Sequence, residues 1–325
     1  MQIKLSEIIQ PIEKELDLFN DKFKISLKSK VGLVDLVTKY ILKQKGKKIR
    51  PVLVLLSAGL SGEISDRAYR GAVLVEMLHT ATLVHDDVVD AAETRRGIPS
   101  INAVWKNKVA VLIGDYLLSR GLMLAVDGND FDFLRIVTDT VKRMSEGELL
   151  QISKTRKLDI DEETYFKIIS DKTASLISTC CEIGARSSTE DINKIAALRN
   201  FGESLGIAFQ IRDDILDYTG KSKIIGKPIG GDIKEKKITL PLIYSLKNVE
   251  KKEANRIIKL IKSERKKGRI TEVINFVLKN GGIDYAETQA DKFITVAKEN
   301  LQHFPDSSYK KSLSDLVQFV VNRKN

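Results

Sequence analysis

Apolar residues recur at three- and four-residue steps along nearly the whole of this chain. Leu74, Met77, Leu78, Ala81, Val84 and Val88 form one such run. That spacing lines one face of an α-helix, whereas a strand needs strict alternation. The pattern predicts helices over roughly 3–20, 31–44, 51–60, 65–91, 107–127, 130–156, 161–185, 189–218, 238–247, 250–264, 268–279, 281–303 and 308–322. Only six prolines occur, most where a helix starts or a loop runs, so the helices are expected to be long. No convincing alternating strand, internal repeat or interdomain linker is visible. The expectation is an all-α fold in a single domain, 1–325.

Composition narrows the function classes. Hydrophobic residues make up 42% and charged residues 30% of the chain, the balance of a globular rather than a disordered protein. The net charge of +10 admits nucleic acid, a membrane surface or a small anion as partner. The lysines are spread along the chain, with local runs at Lys47–Lys48 and Lys234–Lys237. No nucleic-acid module or interleaving of aromatic with basic residues is present, so small anionic ligands are favoured over nucleic acid. Cys180 and Cys181 are adjacent; they are poorly placed to staple the fold and lack metal-site spacing. A reducing, cytoplasmic setting fits them. The N-terminal segment is charged and amphipathic, unlike a signal peptide. No run approaches the length of a membrane span, so no transmembrane helix is expected.

Two aspartate clusters carry the chemistry. Asp86, Asp87 and Asp90 form one, and Asp213, Asp214 and Asp217 repeat its spacing. On a helix, three- and four-residue steps bring all three carboxylates to one face. Like charges so placed repel by a few tenths of a kcal/mol per exposed pair, and a helix C-terminus disfavours anions further. Cations must offset that. Each cluster is followed by a loop bearing them: Ala92–Ser100 with Arg95 and Arg96, and a glycine- and lysine-rich loop after Asp217. Hard oxygen donors without cysteine point to Mg²⁺, which takes one or two carboxylates and completes its shell with water and substrate phosphates.

The segments GKKIRP (46–51), EMLHTATLVHDDVVDAAETRRG (76–97), VLIGDYLLSR (111–120), GELLQ (147–151), DKTASL (171–176), FQIRDDILDYTG (209–220), GKPIGGDI (226–233) and KITLP (237–241) occur in this order. Together they resemble the trans-isoprenyl diphosphate synthase (polyprenyl synthetase) family over almost the full chain. The resemblance implies an antiparallel helical bundle around a central cavity, with the two clusters facing each other across its mouth, and a homodimer. It implies a Mg²⁺-dependent transfer of an allylic prenyl group to isopentenyl diphosphate. The six aspartates would hold the Mg²⁺ ions, three per site. Arg95 would bind the allylic diphosphate. Arg96, Lys47, Arg50 and His79 would bind isopentenyl diphosphate. Lys172 and Thr173 match the family's KT motif, and Gln210 its polar residue before the second cluster; these would stabilise an allylic cation, Lys172 also reaching the diphosphate. Lys227 and Lys237 would close over the phosphates. His85 has no such role and is read as structural. Lys236 stands where the family often has glycine.

Product length is read from the helix before Asp86. Ala81 and Thr82, five and four residues before it, are small where short-chain members of the family often place an aromatic stopper. Met77 and Leu78 lie one turn deeper, then Leu74, about 18 Å of helix from Asp86. Val137, Val141 and Met123 are candidates for the tunnel floor. The first cluster also lacks the insertion of many short-chain bacterial members. The expectation is a long-chain product of the octaprenyl type, used as a quinone side chain, made from farnesyl diphosphate, with transient membrane contact for product release. The rival readings are a short-chain synthase, the catalytic subunit of a heteromer, a terpene cyclase, or a non-catalytic prenyl-lipid-binding protein.

Overall fold

Pro11 divides the first expected helix, because proline lacks the N–H a helix interior needs. In the computed structural model, α1 (Leu5–Ile9) ends in a 3₁₀ turn at Gln10–Ile12, and α2 (Glu13–Ser26) resumes beyond it. The structure describes residues 3–44, 46–95, 97–220, 230–263 and 268–321. α3 (Gly32–Lys43), α4 (Ile49–Ser61) and α5 (Asp66–Val89) follow. Every residue of α4 from Pro51 to Ala58 is buried, and α5 is buried on several sides. Helices buried all round belong at the centre of a bundle.

α6 (Ile101–Asp127) lies along α5. A side chain at Gly114 would strike His85, and one at Gly121 would press on Leu74 and Met77. The rising numbers on α6 meet falling numbers on α5, so the pair is antiparallel. Sequence periodicity begins this helix at 107. The extra turn is capped by Ser100, whose Oγ accepts from Ala103 N at 3.3 Å, and Lys106 interrupts it at φ 71°. The polar segment Lys106–Lys108 hides that turn from an apolar period.

α7 (Phe131–Lys157), α8 (Glu162–Ile169), α9 (Ser175–Arg186) and α10 (Ile192–Thr219) complete the inner bundle. The stretch expected as one helix over 161–185 contains a π-turn at Ser170–Ala174. Asp161 and Asp191 cap α8 and α10, accepting backbone N–H groups at 2.8 and 2.9 Å. Where α9 crosses α4, a Cβ at Gly184 would lie 2.3 Å from the Val54 carbonyl oxygen, so only glycine allows that approach. α11 (Gly231–Lys234), α12 (Leu240–Lys247), α13 (Lys251–Lys262), α14 (Arg269–Lys279), α15 (Gly282–Leu301) and α16 (Ser308–Val321) wrap the bundle.

The apolar interior has two parts. One is centred on α4, α5 and α9, with Phe19, Phe133 and Phe201 fully buried. The other lies beneath the second aspartate cluster, around Ile211, Ile215, Leu242 and Val273. Phe293 of α15 packs against both.

Among the described residues one helix, α6, is long and apolar enough to pass for a membrane span, with a mean hydropathy of 1.7 over its best window, because only Asp115 and Arg120 interrupt the apolar run; the core helix of a globular protein meets the same criterion. A third of that window is buried against the rest of the fold, while Val104, Val111, Leu112, Met123 and Val126 are exposed.

Candidate active site

α5 ends at Val89, and Asp90 closes it, donating from its backbone N–H to the Asp86 carbonyl at 2.8 Å. The chain then turns through a hairpin pairing Thr94 with Pro99 and Arg95 with Ile98. Gly97, at φ 79°, supplies the left-handed residue that this tight turn requires. The hairpin folds Arg95 back onto α5, where its Nε donates to Asp87 Oδ1 at 2.7 Å. Asp87 is only 3% exposed, whereas Asp86 and Asp90 are exposed. The middle carboxylate is thus tied to the protein, and the outer two are turned to solvent. Arg96 lies outside the described residues.

The second cluster repeats that division. Asp214 is buried, and both of its oxygens accept hydrogen bonds, from the Tyr165 phenol at 2.7 Å and from Gln210 Nε2 at 2.8 Å. Asp213 is exposed. Asp217 accepts the backbone N–H groups of Gly231 and Asp232 at 3.0 and 3.1 Å and so fixes the start of α11. Burial pushes the Asp214 carboxyl up, with Asp232 adding to the shift and the bonds from Tyr165 and Gln210 opposing it. Asp232 is itself raised, by burial first and then by Asp217.

The two clusters share cations. Lys172, in the π-turn, forms an ion pair with Glu148 of α7 and donates to Gln151 Oε1 at 3.3 Å. Partial burial raises the Asp86 carboxyl, and Lys172 opposes that rise, so this lysine faces the first cluster. Lys237 pairs with Glu235 at 2.6 Å, and its field reaches both Asp232 and Asp90. Its neighbour Lys236 adopts φ 61°, the left-handed conformation that glycine takes without penalty. Lys227 lies outside the described residues.

Three small cavities divide the expected residues. One of about 100 Å³ is lined by Gln151, Lys172, Thr173, Gln210, Asp214 and Lys237. A second, of about 70 Å³, gathers Lys48, His79, Asp87 and Arg95. A third, of about 170 Å³, is lined by Lys47, Arg50, Thr173, Phe209 and Phe319, with the Lys47 ammonium 5.4 Å from the Phe319 ring centre. Lys47 and Arg50 are therefore not in one cavity with His79. A wider cavity, about 1000 Å³, lies over α9 between α7 and α10 and contains none of these residues; the acidic, basic and amide side chains gather in the smaller ones.

On the expected tunnel wall, Met77, Leu78 and Ala81 are buried, and the half-buried Thr82 donates from Oγ1 to the His79 carbonyl at 2.9 Å. Four-residue steps place Ala81 between Met77 and His85, both of which face α6. His85 meets the Val111 carbonyl at 3.1 Å, in keeping with a structural role. Val137 is buried and Val141 packs on the core. Met123 is 47% exposed on α6 and does not pack in the interior of the single chain as Val137 and Val141 do.

The polyprenyl synthetase family pattern matches residues 32–277. The chain belongs to that family. The all-trans-nonaprenyl-diphosphate synthase (geranyl-diphosphate specific) of Rhodobacter capsulatus is 36% identical over 98% of this chain and 97% of its own length. Heptaprenyl diphosphate synthase component 2 of Bacillus subtilis is 35% identical over 98% of this chain and 89% of its own. Among solved structures, a polyprenyl synthase from Caulobacter crescentus complexed with calcium and isoprenyl diphosphate superposes with a TM-score of 0.91, at 31% identity over 100% and 99% of the two chains.

This protein is therefore a prenyltransferase, of a Mg²⁺-dependent family. Its donor set fits the ion: exposed carboxylates at Asp86, Asp90 and Asp213, with no cysteine nearby. Among the described residues, no three acidic, histidine or cysteine side chains converge as a preformed metal site. An ion completed by substrate phosphates needs no such convergence. Sequence reasoning missed four residues of this prenyltransferase's site: Lys48, Glu148, Tyr165 and Asp232. Glu148 and Asp232 stand inside the family-like segments GELLQ and GKPIGGDI. Lys48 is adjacent to Lys47, and nothing local marks Tyr165.

Proposed function

We propose that this prenyltransferase condenses isopentenyl diphosphate head to tail with an allylic diphosphate, farnesyl diphosphate being the expected primer, and repeats the step to a long-chain all-trans polyprenyl diphosphate for a quinone side chain. The observation that carries this is the cavity that gathers Lys172, Thr173, Gln210, Asp214, Asp232 and Lys237, with the charges of Lys172 and Lys237 also acting on Asp86 and Asp90 of the first cluster. Small side chains at Ala81 and Thr82 and the names of the nonaprenyl and heptaprenyl relatives support the long product.

In this reading Arg95, Lys172, Lys227 and Lys237 hold the allylic diphosphate, and Lys47, Arg50, His79 and Arg96 hold isopentenyl diphosphate. Guanidinium forks and ammonium groups match phosphate oxygens. Bound Mg²⁺, three ions on the six aspartates, would supply Lewis-acid stabilisation of the departing diphosphate. The allylic C–O bond breaks and diphosphate leaves with the electron pair. Thr173 and Gln210 face the resulting cation with oxygen. The isopentenyl double bond attacks it, and a proton passes to the released diphosphate. No protein nucleophile is needed.

The remaining assignments are a single domain over 1–325, a cytoplasmic location, and a homodimer burying the exposed apolar stripe of α6 (Val104, Val111, Leu112, Met123, Val126), with transient membrane contact when product leaves. A heteromer is the second reading, favoured by the relative named as a component 2. Incubation of purified protein with Mg²⁺, labelled isopentenyl diphosphate and farnesyl diphosphate tests the proposal. A ladder of long products is expected from this chain alone. No product without a second chain favours the heteromer, and a short product only would refute the long-chain reading.

A further inference from the structure

Thr173 borders two of the cavities, and its hydroxyl ends a hydrogen-bonded chain that begins in the core. The phenol of Tyr165, 3% exposed, donates to Asp214 Oδ2 at 2.7 Å. Gln210 donates from Nε2 to Asp214 Oδ1 at 2.8 Å. The Thr173 hydroxyl donates to Gln210 Oε1 at 2.9 Å. The directions along such a chain are not independent. Both oxygens of Asp214 accept hydrogen bonds, and that orders the groups beside it. Flanked by a phenol and an amide, Asp214 accepts a hydrogen bond from the Tyr165 hydroxyl and one from the NH₂ side of Gln210. The amide must then turn its carbonyl to Thr173, which commits the threonine proton. Only lone pairs are left on Thr173 Oγ1 for the cavity. Such an oxygen has nothing to donate to a phosphate and suits an electron-poor carbon.

We propose that Tyr165 is a positioning residue for prenyl transfer. It anchors Asp214 and, through Gln210, holds Thr173 as an acceptor-only oxygen facing the allylic carbon while the C–O bond breaks. This rests on the role given to Thr173 above. The anchor is rigid at both ends. The Tyr165 ring packs edge-on to Phe166 at 5.5 Å. The π-turn carrying Thr173 is clamped from behind, where Asp171 accepts from Arg143 and Lys167, each at 2.9 Å. Hydrogen bonds in a low-dielectric chain polarise one another, so loss of the first is felt at the last.

The test is a double-mutant cycle of Tyr165→Phe and Thr173→Val in the full chain, read as the rate of the first condensation with farnesyl and isopentenyl diphosphates. Tyr165→Phe removes one oxygen and keeps the ring. Measured at saturating Mg²⁺, it should lower kcat about tenfold, the effect of a lost bond to a charged group, with unchanged KM for isopentenyl diphosphate. In the Thr173→Val background it should do nothing further, because the two residues act through one chain. A wild-type kcat or multiplicative losses would overturn the proposal, the latter assigning Tyr165 to support of the metal site through Asp214 and not to Thr173. If Tyr165→Phe fails to fold, as its melting curve would reveal, Gln210→Leu takes its place in the cycle, and multiplicative loss there breaks the chain at its middle link. An inactive wild type would contradict the assigned reaction, whereas the cycle compares variants against an active one.

Discussion

Replacing Arg95 by alanine should cost this protein stability as well as turnover, which separates it from the exposed residues of the site. The Asp87 side chain is 4% exposed and that of Arg95 26%, and both Nε and Nη2 of Arg95 lie 2.7 Å from Asp87 Oδ1. Removing one partner of a buried ion pair leaves an uncompensated charge and costs about 3–5 kcal/mol. Arg95 is a quarter exposed, so water reaches the vacated position and the lower end, about 3 kcal/mol, applies. At about 1.5 °C per kcal/mol in a protein of 325 residues, the melting temperature should fall by roughly 4 °C. Asp87→Asn in the Arg95→Ala background removes the stranded charge and should restore most of that loss. It should not restore turnover, because Arg95 is assigned to the allylic diphosphate. Thermal melts and steady-state rates on wild type, Arg95→Ala and the double variant decide the matter. Arg95→Ala melting with the wild type, or a double variant no more stable than the single, would refute the argument that this pair is structural.

Three further outcomes are expected. Asp86→Ala or Asp213→Ala should lower turnover by orders of magnitude with an unchanged melting curve, since both carboxylates are exposed; near-normal turnover in Mg²⁺ would remove that aspartate from the site. Ala81→Phe should shorten the product while the first condensation stays fast, because a phenyl ring in a close-packed channel is bypassed only at a strain of about 1–3 kcal/mol or more and every further isoprene unit must pass it; an unchanged ladder from a well-folded variant rules out this face as the tunnel wall. Asp232 is raised to about 6 in the folded protein, by burial first and Asp217 second, and Asp214 is also raised. A carboxyl with a raised folded pKa binds its proton more tightly in the native state, so stability is present at low pH and declines as pH rises from the unfolded value near 4 through about 6. Metal-free protein should therefore melt lower at neutral than at mildly acidic pH, and Asp232→Asn should flatten that slope; an unaltered slope contradicts the shift.

The helices, the two carboxylate clusters and their likeness to one family are legible in the order of residues alone. These are along-helix properties: the three- and four-residue steps that line an apolar face also place Asp86 with Asp90 and Asp213 with Asp217 on one side of a turn. What the steps could not report was the π-turn at Ser170–Ala174 or the break at Lys106, because one extra or one misaligned residue barely alters an apolar period. Nor could they rank three aspartates of identical type. Asp87 and Asp214 are the buried members because a hairpin brings Arg95 to one and α8 brings Tyr165, 49 residues away in sequence, to the other. Lys47 and Lys48 are equivalent as letters; Lys48, at φ 48°, begins α4 in a left-handed conformation, and the two line different cavities. Spacing fixes which side chains share a face, but whether a charge on that face meets water, a cation or a phenol is decided by what packs opposite, and only the assembled bundle sets that.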